Sequence, residues 1–141
     1  RKRGEVISLE RSRPLYEVGK EGLAALSGQD GEMTEALRRI QLLHADFRGF
    51  LETAAPNSFD VIYFDPMFRY PVKRKENSME GFRSAAVYDP LTEDVLQFAM
   101  RAARKKVIVK ERPFSALFRT GLFTEIHGKR GQTTAYGVIK L

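Results

Sequence analysis

The sequence predicts an α/β fold: a mostly parallel sheet with helices on both faces and a C-terminal antiparallel hairpin. Three observations predict it. Phe59-Asp60-Val61-Ile62-Tyr63-Phe64 carries an apolar run, Val61 to Phe64, with no polar alternation. That is the pattern of a strand buried on both faces, and such strands belong mostly to parallel sheets covered by helices. Strand-forming and helix-forming stretches alternate along the chain, the order of successive strand–helix–strand units. Two strand-like stretches near the C-terminus, Leu122 to His127 and Thr133 to Leu141, flank Gly128-Lys129-Arg130-Gly131, a glycine-rich turn suited to an antiparallel pair.

The elements follow in order. Glu5 to Leu9 is a short buried strand with Glu10 at its end. Pro14 lies in the first turn of the next helix, where a missing N–H is harmless. Leu15, Val18, Gly22, Leu23 and Leu26 recur at helical spacing and define one packing face, and Gly28, Asp30 and Gly31 break the helix. Glu32 to Arg39 is a second, shorter helix with Met33, Ala36 and Leu37 inward. Ile40 to Ala45 is a strand ended by Asp46, and Phe47 to Ala54 is a short helix with Phe47, Phe50 and Leu51 as its apolar side. The turn Ala55-Pro56-Asn57-Ser58 leads into the central strand. Pro66 has no N–H for a ladder, so that strand stops at Asp65.

Residues 65–89 show no clean periodicity and contain Pro66, Pro71, Gly81 and the run Lys73-Arg74-Lys75. A loop of that length in a compact domain is usually functional or disordered. Pro90 and Thr92 open a helix that runs to about Arg104, with Leu91, Val95, Leu96, Phe98, Ala99 and Ala102 apolar. Lys105-Lys106 leads into the strand Val107 to Lys110, and Phe114 to Phe118 forms one helical turn. Residues 1–141 read as a single domain.

Composition bounds the function. The chain has 141 residues, 43% apolar and 30% charged, enough for one soluble domain with a core. No apolar run approaches the roughly 18 residues that cross a membrane. Arg1-Lys2-Arg3 is followed by a strand pattern and not by an apolar helix, so the start is not signal-like. The absence of cysteine excludes disulfides and thiolate zinc sites and suits a cytoplasmic protein. His44 and His127 are too scattered for a metal cluster, and each reads as a strand-end histidine; no metal is expected. The net charge of +6 suits a polyanionic partner, although a basic protein without one has the same composition. The chain opens on a strand without an initiator Met, and an upstream segment is expected.

Glu10, Asp46 and Asp65 each terminate a strand. In a parallel sheet those ends share one edge, the edge where ligands bind in open α/β sheets, so the three acids are expected to converge on one cleft. An acid in that place can accept from ribose hydroxyls or from an adenine amine. It can equally cap the next helix, and Asp46 suits that role well.

These residues carry a resemblance. The chain resembles the class I S-adenosylmethionine-dependent methyltransferases, which have a Rossmann-like fold, with the first strand and its Gly-rich cofactor loop missing here. The resemblance implies S-adenosyl-L-methionine as cofactor. It implies that Glu10, beside Arg11, holds the ribose, that Asp46 and Phe47 contact adenine, and that Asp65-Pro66-Met67-Phe68 is the Asp-Pro-Pro-Tyr-like motif after the fourth strand. More closely, the chain is similar to the small-subunit ribosomal RNA guanine-N2 methyltransferases. They carry Tyr-Leu-Asp-Pro-Met-Phe-Pro, where this chain has Tyr63-Phe64-Asp65-Pro66-Met67-Phe68 and then Arg69 in place of proline. Glu10-Arg11-Ser12 and Val107 to Lys110 match further stretches of that family.

The resemblance implies transfer of a methyl group to an exocyclic base amine of RNA. Asp65 and the Pro66 carbonyl would accept the amine hydrogens, Phe68 would stack on the base, and Asp65 would also border the cofactor. Arg69, Lys73, Arg74 and Lys75 would meet RNA phosphates. N-methylation of DNA or protein uses similar motifs, and a catalytically silent nucleic-acid-binding module would explain the absent Gly-rich loop. Where the first strand is missing, apolar surface is expected to be covered by an upstream segment or by a second copy in a homodimer.

Overall fold

The structure, a computed structural model, describes residues 4–27, 31–66 and 91–141. Its elements are β1 (Val6–Glu10), α1 (Arg13–Ser27), α2 (Glu32–Arg38), β2 (Ile40–His44), α3 (Phe47–Thr53), β3 (Phe59–Phe64), α4 (Glu93–Ala102), β4 (Ala103–Glu111), a 3₁₀ turn (Ala116–Arg119), β5 (Glu125–His127) and β6 (Ala135–Lys140). The chain forms two compact units, one built on β1, α1, α2 and β2, the other on β3, α4, β4, β5 and β6, and passes from one to the other within α3. The strand and helix order is that of a Rossmann-like α/β fold, as the alternation of the sequence predicts.

In the first unit β1 and β2 pair in parallel, with Val6 opposite Ile40 and Glu10 opposite His44. Val6 and Ile7 stay half-exposed, because β1 is paired on one side only among the described residues. Helix α1 packs on both strands. Its inward ridge runs through Leu15, Tyr16, Gly19 and Leu23, and the expected ridge through Val18 and Leu26 is rotated outward, with Val18 67% exposed. Gly19 explains part of that rotation: a Cβ there would stand 2.9 Å from Leu42 Cδ2, so the helix approaches β2 most closely at this point. Tyr16 explains the rest, since its ring stacks on His44 with centroids 5.3 Å apart. Helix α2 likewise turns Thr34 and Leu37 inward and leaves Met33 exposed. The Thr34 hydroxyl donates to the Leu26 carbonyl (3.5 Å), one of the carbonyls that the end of α1 leaves without an intrahelical partner.

The second unit carries a four-stranded sheet in the order β3-β4-β6-β5. β3 and β4 are parallel, whereas β6 runs antiparallel to both β4 and β5. The predicted hairpin therefore places its second strand in the interior of the sheet. Register assigns the faces. Ile62, Phe64, Val107, Val109, Ala135, Gly137 and Ile139 share one face, on which Val107 and Val109 are fully buried. Helix α4 contacts β4 and buries Val95, Leu96, Ala99 and Ala102. Phe118 and Phe123 meet edge-to-face beside Gly137, and a Cβ at that glycine would fall inside the contact distance of both rings.

The opposite face carries Val61, Tyr63, Ile108, Lys110, Tyr136 and Val138, and there Tyr63 remains 51% exposed. The expectation that β3 is buried on both faces is corrected on this point. Its apolar run is continuous in sequence, but alternate residues still point to opposite faces, and β3 lies at the edge of its sheet among the described residues.

Helix α4 ends at Ala102, two residues before the Arg104 that the periodicity suggests, and β4 begins at once with Ala103. Ala102 and Ala103 are both buried, and their small side chains let the chain turn from helix to strand without a loop. Arg101 secures the junction. Its guanidinium donates to the carbonyls of Leu51 (3.1 Å) and Glu52 (2.8 Å), which the end of α3 leaves open, and lies over the Phe98 ring. Asn57 takes a positive φ of 56°, as asparagine tolerates, and donates its N–H to the Arg101 carbonyl.

Candidate active site

In the first unit the parallel pairing of β1 and β2 brings Glu10 and Asp46 to the same, carboxyl edge of one sheet. The chain then turns sharply through Glu10-Arg11-Ser12. Ser12 is 2% exposed; its N–H donates to Glu10 Oε1 (2.9 Å), and its own hydroxyl accepts from the Leu15 N–H at the start of α1 (3.5 Å). The Arg11 carbonyl meets His44 Nε2 at 2.9 Å, which fixes the imidazole as a donor through that nitrogen. The Ala45 N–H donates to the Glu10 carbonyl, tying the turn to the end of β2. Asp46 precedes α3 and accepts the Arg48 N–H at Oδ1 (3.2 Å), so it does cap that helix. Phe47, the first residue of α3, is half-buried.

Each of these two carboxylates gives one oxygen to a backbone N–H and has a second with which to accept from a ligand. A diol paired with an amine, as on an adenosine, matches such a pair of acceptors, because carboxylates accept from both.

In the second unit Asp65 directly follows β3, and Pro66 ends the ladder as its missing N–H requires. Phe64 lies opposite Val109, which sets Asp65 beside Lys110 on the half-exposed face. Lys110 Nζ meets Asp65 Oδ1 at 2.9 Å, with the two side chains 30% and 52% exposed. That hydrogen bond holds the Lys110 ammonium above its ordinary pKa. The Tyr63 phenol is also raised, first by burial and then by the Asp65 charge. Lys110 faces Tyr136 across the β4–β6 ladder. A carboxylate whose geometry is fixed by a lysine, next to a prolyl carbonyl, offers two fixed acceptors at a strand end.

Of the residues that the sequence singled out, Glu10, Arg11, Asp46, Phe47, Asp65 and Pro66 are described. Phe68, Arg69, Lys73, Arg74 and Lys75 lie outside the described residues. Ser12, Tyr16, His44 and Lys110 escaped sequence reasoning as site residues. Ser12 and Lys110 had a signal, since both stand in stretches that carry the family resemblance. Tyr16 and His44 had none, because their stacking joins two elements far apart in the chain.

Residues 4–133 match the family described as "Putative SAM-dependent methyltransferase". Among curated proteins, YpiP of Bacillus subtilis (strain 168) is 31% identical over 137 residues, covering 97% of this chain and 52% of that protein. The ribosomal RNA small subunit methyltransferase J of Cellvibrio japonicus is 31% identical over 144 residues, covering 94% of this chain and 53% of that protein. Its namesake in Brucella anthropi is 30% identical over 138 residues, with 95% and 64% covered. A crystal structure of a SAM-dependent methyltransferase from Neisseria gonorrhoeae superposes with a TM-score of 0.61 at 18% identity, over 96% of this chain and 52% of that one, a likeness of fold. The chain thus spans about half the length of most of the curated relatives it matches.

Proposed function

Because the chain belongs to the SAM-dependent methyltransferase family, we propose that it is the part of an RNA N-methyltransferase that holds the adenosine of S-adenosyl-L-methionine and grips the target base, and that the target is guanine N2 of small-subunit ribosomal RNA. The relatives named ribosomal RNA small subunit methyltransferase J support the RNA class of substrate. A ribosomal RNA substrate goes with a cytoplasmic enzyme, and the family match across both units supports one methyltransferase domain over residues 1–141.

The observation that carries this reading is the Asp65 carboxylate, at the carboxyl end of β3, fixed by Lys110 and followed by Pro66. In the proposed mechanism the Asp65 carboxylate and the Pro66 carbonyl each accept one hydrogen of the exocyclic amine. Those two bonds draw the nitrogen lone pair out of conjugation with the ring and aim it, and holding the reacting atoms about 3 Å apart supplies much of the acceleration. When bound, S-adenosyl-L-methionine supplies an electrophilic methyl group. Asp65 need not be a strong base, because the amine proton becomes acidic once the nitrogen is alkylated. Glu10 takes the ribose hydroxyls with Arg11 beside it, and Asp46 and Phe47 take the adenine. Phe68 stacks on the base, and Arg69, Lys73, Arg74 and Lys75 meet phosphates.

Calorimetric titration with S-adenosylhomocysteine tests the cofactor half of the proposal. Micromolar binding to the wild-type chain, lost in Glu10→Ala, is the expected result. Unchanged affinity in Glu10→Ala would remove the ribose role from Glu10.

A further inference from the structure

The β5–β6 turn stands on the same edge of its sheet as Asp65, and its two cations have no place in the mechanism above. Because β6 runs antiparallel to β4, its first residue, Ala135, lies opposite Glu111 at the carboxyl end of β4. Tyr136 pairs with Lys110 on one side and with His127 on the other. One row therefore crosses the sheet edge from Asp65 through Lys110 and Tyr136 to His127, and the turn follows directly. With strands about 4.8 Å apart, three spacings set the β5 end about 14 Å from Asp65, a span of a few nucleotides.

The turn is ordered for contact. The Gln132 N–H donates to the Lys129 carbonyl (3.0 Å), and Gly131 has φ 83°, as the third residue of a type II turn requires. The Lys129 N–H is held by Gln132 Oε1 (3.4 Å). Lys129 and Arg130 are exposed, at the first two positions of this turn. Among the described residues, Glu111 stands opposite Ala135 at the same end of the sheet and forms no ion pair with either cation. Glu125 is the last acid in the chain. It is taken up by Lys140 and His127, which together hold its carboxyl below the usual carboxylate range. No ion pair of Lys129 or Arg130 occurs among the described residues.

Pro113 and Ile126 line an open cleft of about 260 Å³ beside the two cations. That is below the roughly 300–1,000 Å³ of sites that enclose small molecules. A cationic rim over a shallow apolar floor suits an extended polyanion that lies across it, not a buried metabolite.

We propose that Lys129 and Arg130 form a phosphate-binding site for the RNA backbone, a few nucleotides from the base at Asp65. The proposal rests on the RNA reading above. The site positions the strand without reading its sequence, as phosphate contacts do.

The test compares the wild-type chain with Lys129→Ser/Arg130→Ser and with the charge-conserving Lys129→Arg/Arg130→Lys, using a short single-stranded RNA over a range of salt. Two phosphate contacts at about 0.7 each make the slope of log K against log salt shallower by about 1.4, and weaken binding roughly 25-fold at 0.1 M salt. S-adenosylhomocysteine affinity should stay unchanged in the serine variant, and the charge-conserving variant should keep the wild-type slope. Salt-dependent RNA binding with an equal slope in the serine variant overturns the turn site and leaves the RNA reading standing. A slope lost in the charge-conserving variant as well overturns it too, by tracing the effect to turn geometry. Absence of RNA binding by the wild-type chain overturns both.

Discussion

Replacing Lys110 by methionine separates positioning from stability. Methionine keeps an unbranched stem on β4 and removes only the ammonium that meets Asp65 Oδ1 at 2.9 Å. With one partner 30% and the other 52% exposed, the pair is half-wet. Pairs of that kind stabilise a fold by about 0–1 kcal/mol. For a chain of this size that corresponds to a fall in Tm of at most about 4 °C. In the proposed mechanism the effect on rate is larger, because there the lysine holds the carboxylate where the amine would meet it. A displacement of about 1 Å at a reacting centre lowers rate by up to about 100-fold.

The expected signature is therefore a drop in kcat of about 10- to 100-fold with cofactor affinity intact and Tm nearly unchanged, partly recovered in Lys110→Arg. Initial rates of methyl transfer, cofactor titration and thermal unfolding read the three quantities. The pH dependence has a definite sign. Asp65 raises the Lys110 pKa in the folded state, so the stability it contributes is fully present below the unfolded value of about 10.4 and is lost as pH rises through the folded value. The stability deficit of Lys110→Met should be constant from neutral pH up to the unfolded value of about 10.4 and shrink only as pH rises from there through the higher folded value. Full turnover in Lys110→Met would refute the positioning role.

Two further predictions concern the scaffold. Ser12→Ala removes the buried hydroxyl that accepts the Leu15 N–H, and should lower unfolding free energy by about 1 kcal/mol in denaturant titration while weakening cofactor binding through the Glu10 turn. Gly137→Ala drives a methyl group into the Phe118–Phe123 pair and should destabilise by about 1–3 kcal/mol, with no change in cofactor affinity per folded molecule.

Element order and type were legible in the sequence because periodicity and punctuation agree along most of the chain. Pro66 ended β3 where its missing N–H requires, and Gly128 to Gly131 made the hairpin turn. Side-chain facing was less legible. The spacing of Val18 and Leu26 is as helical as that of Leu15 and Leu23, and only the close approach at Gly19 and the Tyr16–His44 stack choose between ridges. Four apolar residues in a row at Val61 to Phe64 implied two covered faces, yet Tyr63 is half-exposed on a strand that is an edge among the described residues. The start of β4 was hidden because Arg104 to Lys106 look like a helix end, whereas the buried alanines before them permit an immediate turn into the strand.

In the candidate site the strand-end acids were visible one at a time, as acids before helices or prolines. The partnership of Asp65 with Lys110 was not, because it depends on the register of two strands more than forty residues apart. The β5–β6 cations were visible as charge, but their place on the Asp65 edge follows only from the antiparallel course of β6.

The most direct test of the central claim is methyl transfer from labelled S-adenosyl-L-methionine to small-subunit ribosomal RNA, with nucleoside analysis of the product, for the wild-type chain and Asp65→Ala. N2-methylguanosine is expected from the wild type and none from Asp65→Ala, whose thermal unfolding stays close to that of the wild type. Undiminished N2-methylguanosine from Asp65→Ala, or a methyl group found only on a ring carbon or a ribose hydroxyl, would contradict that claim.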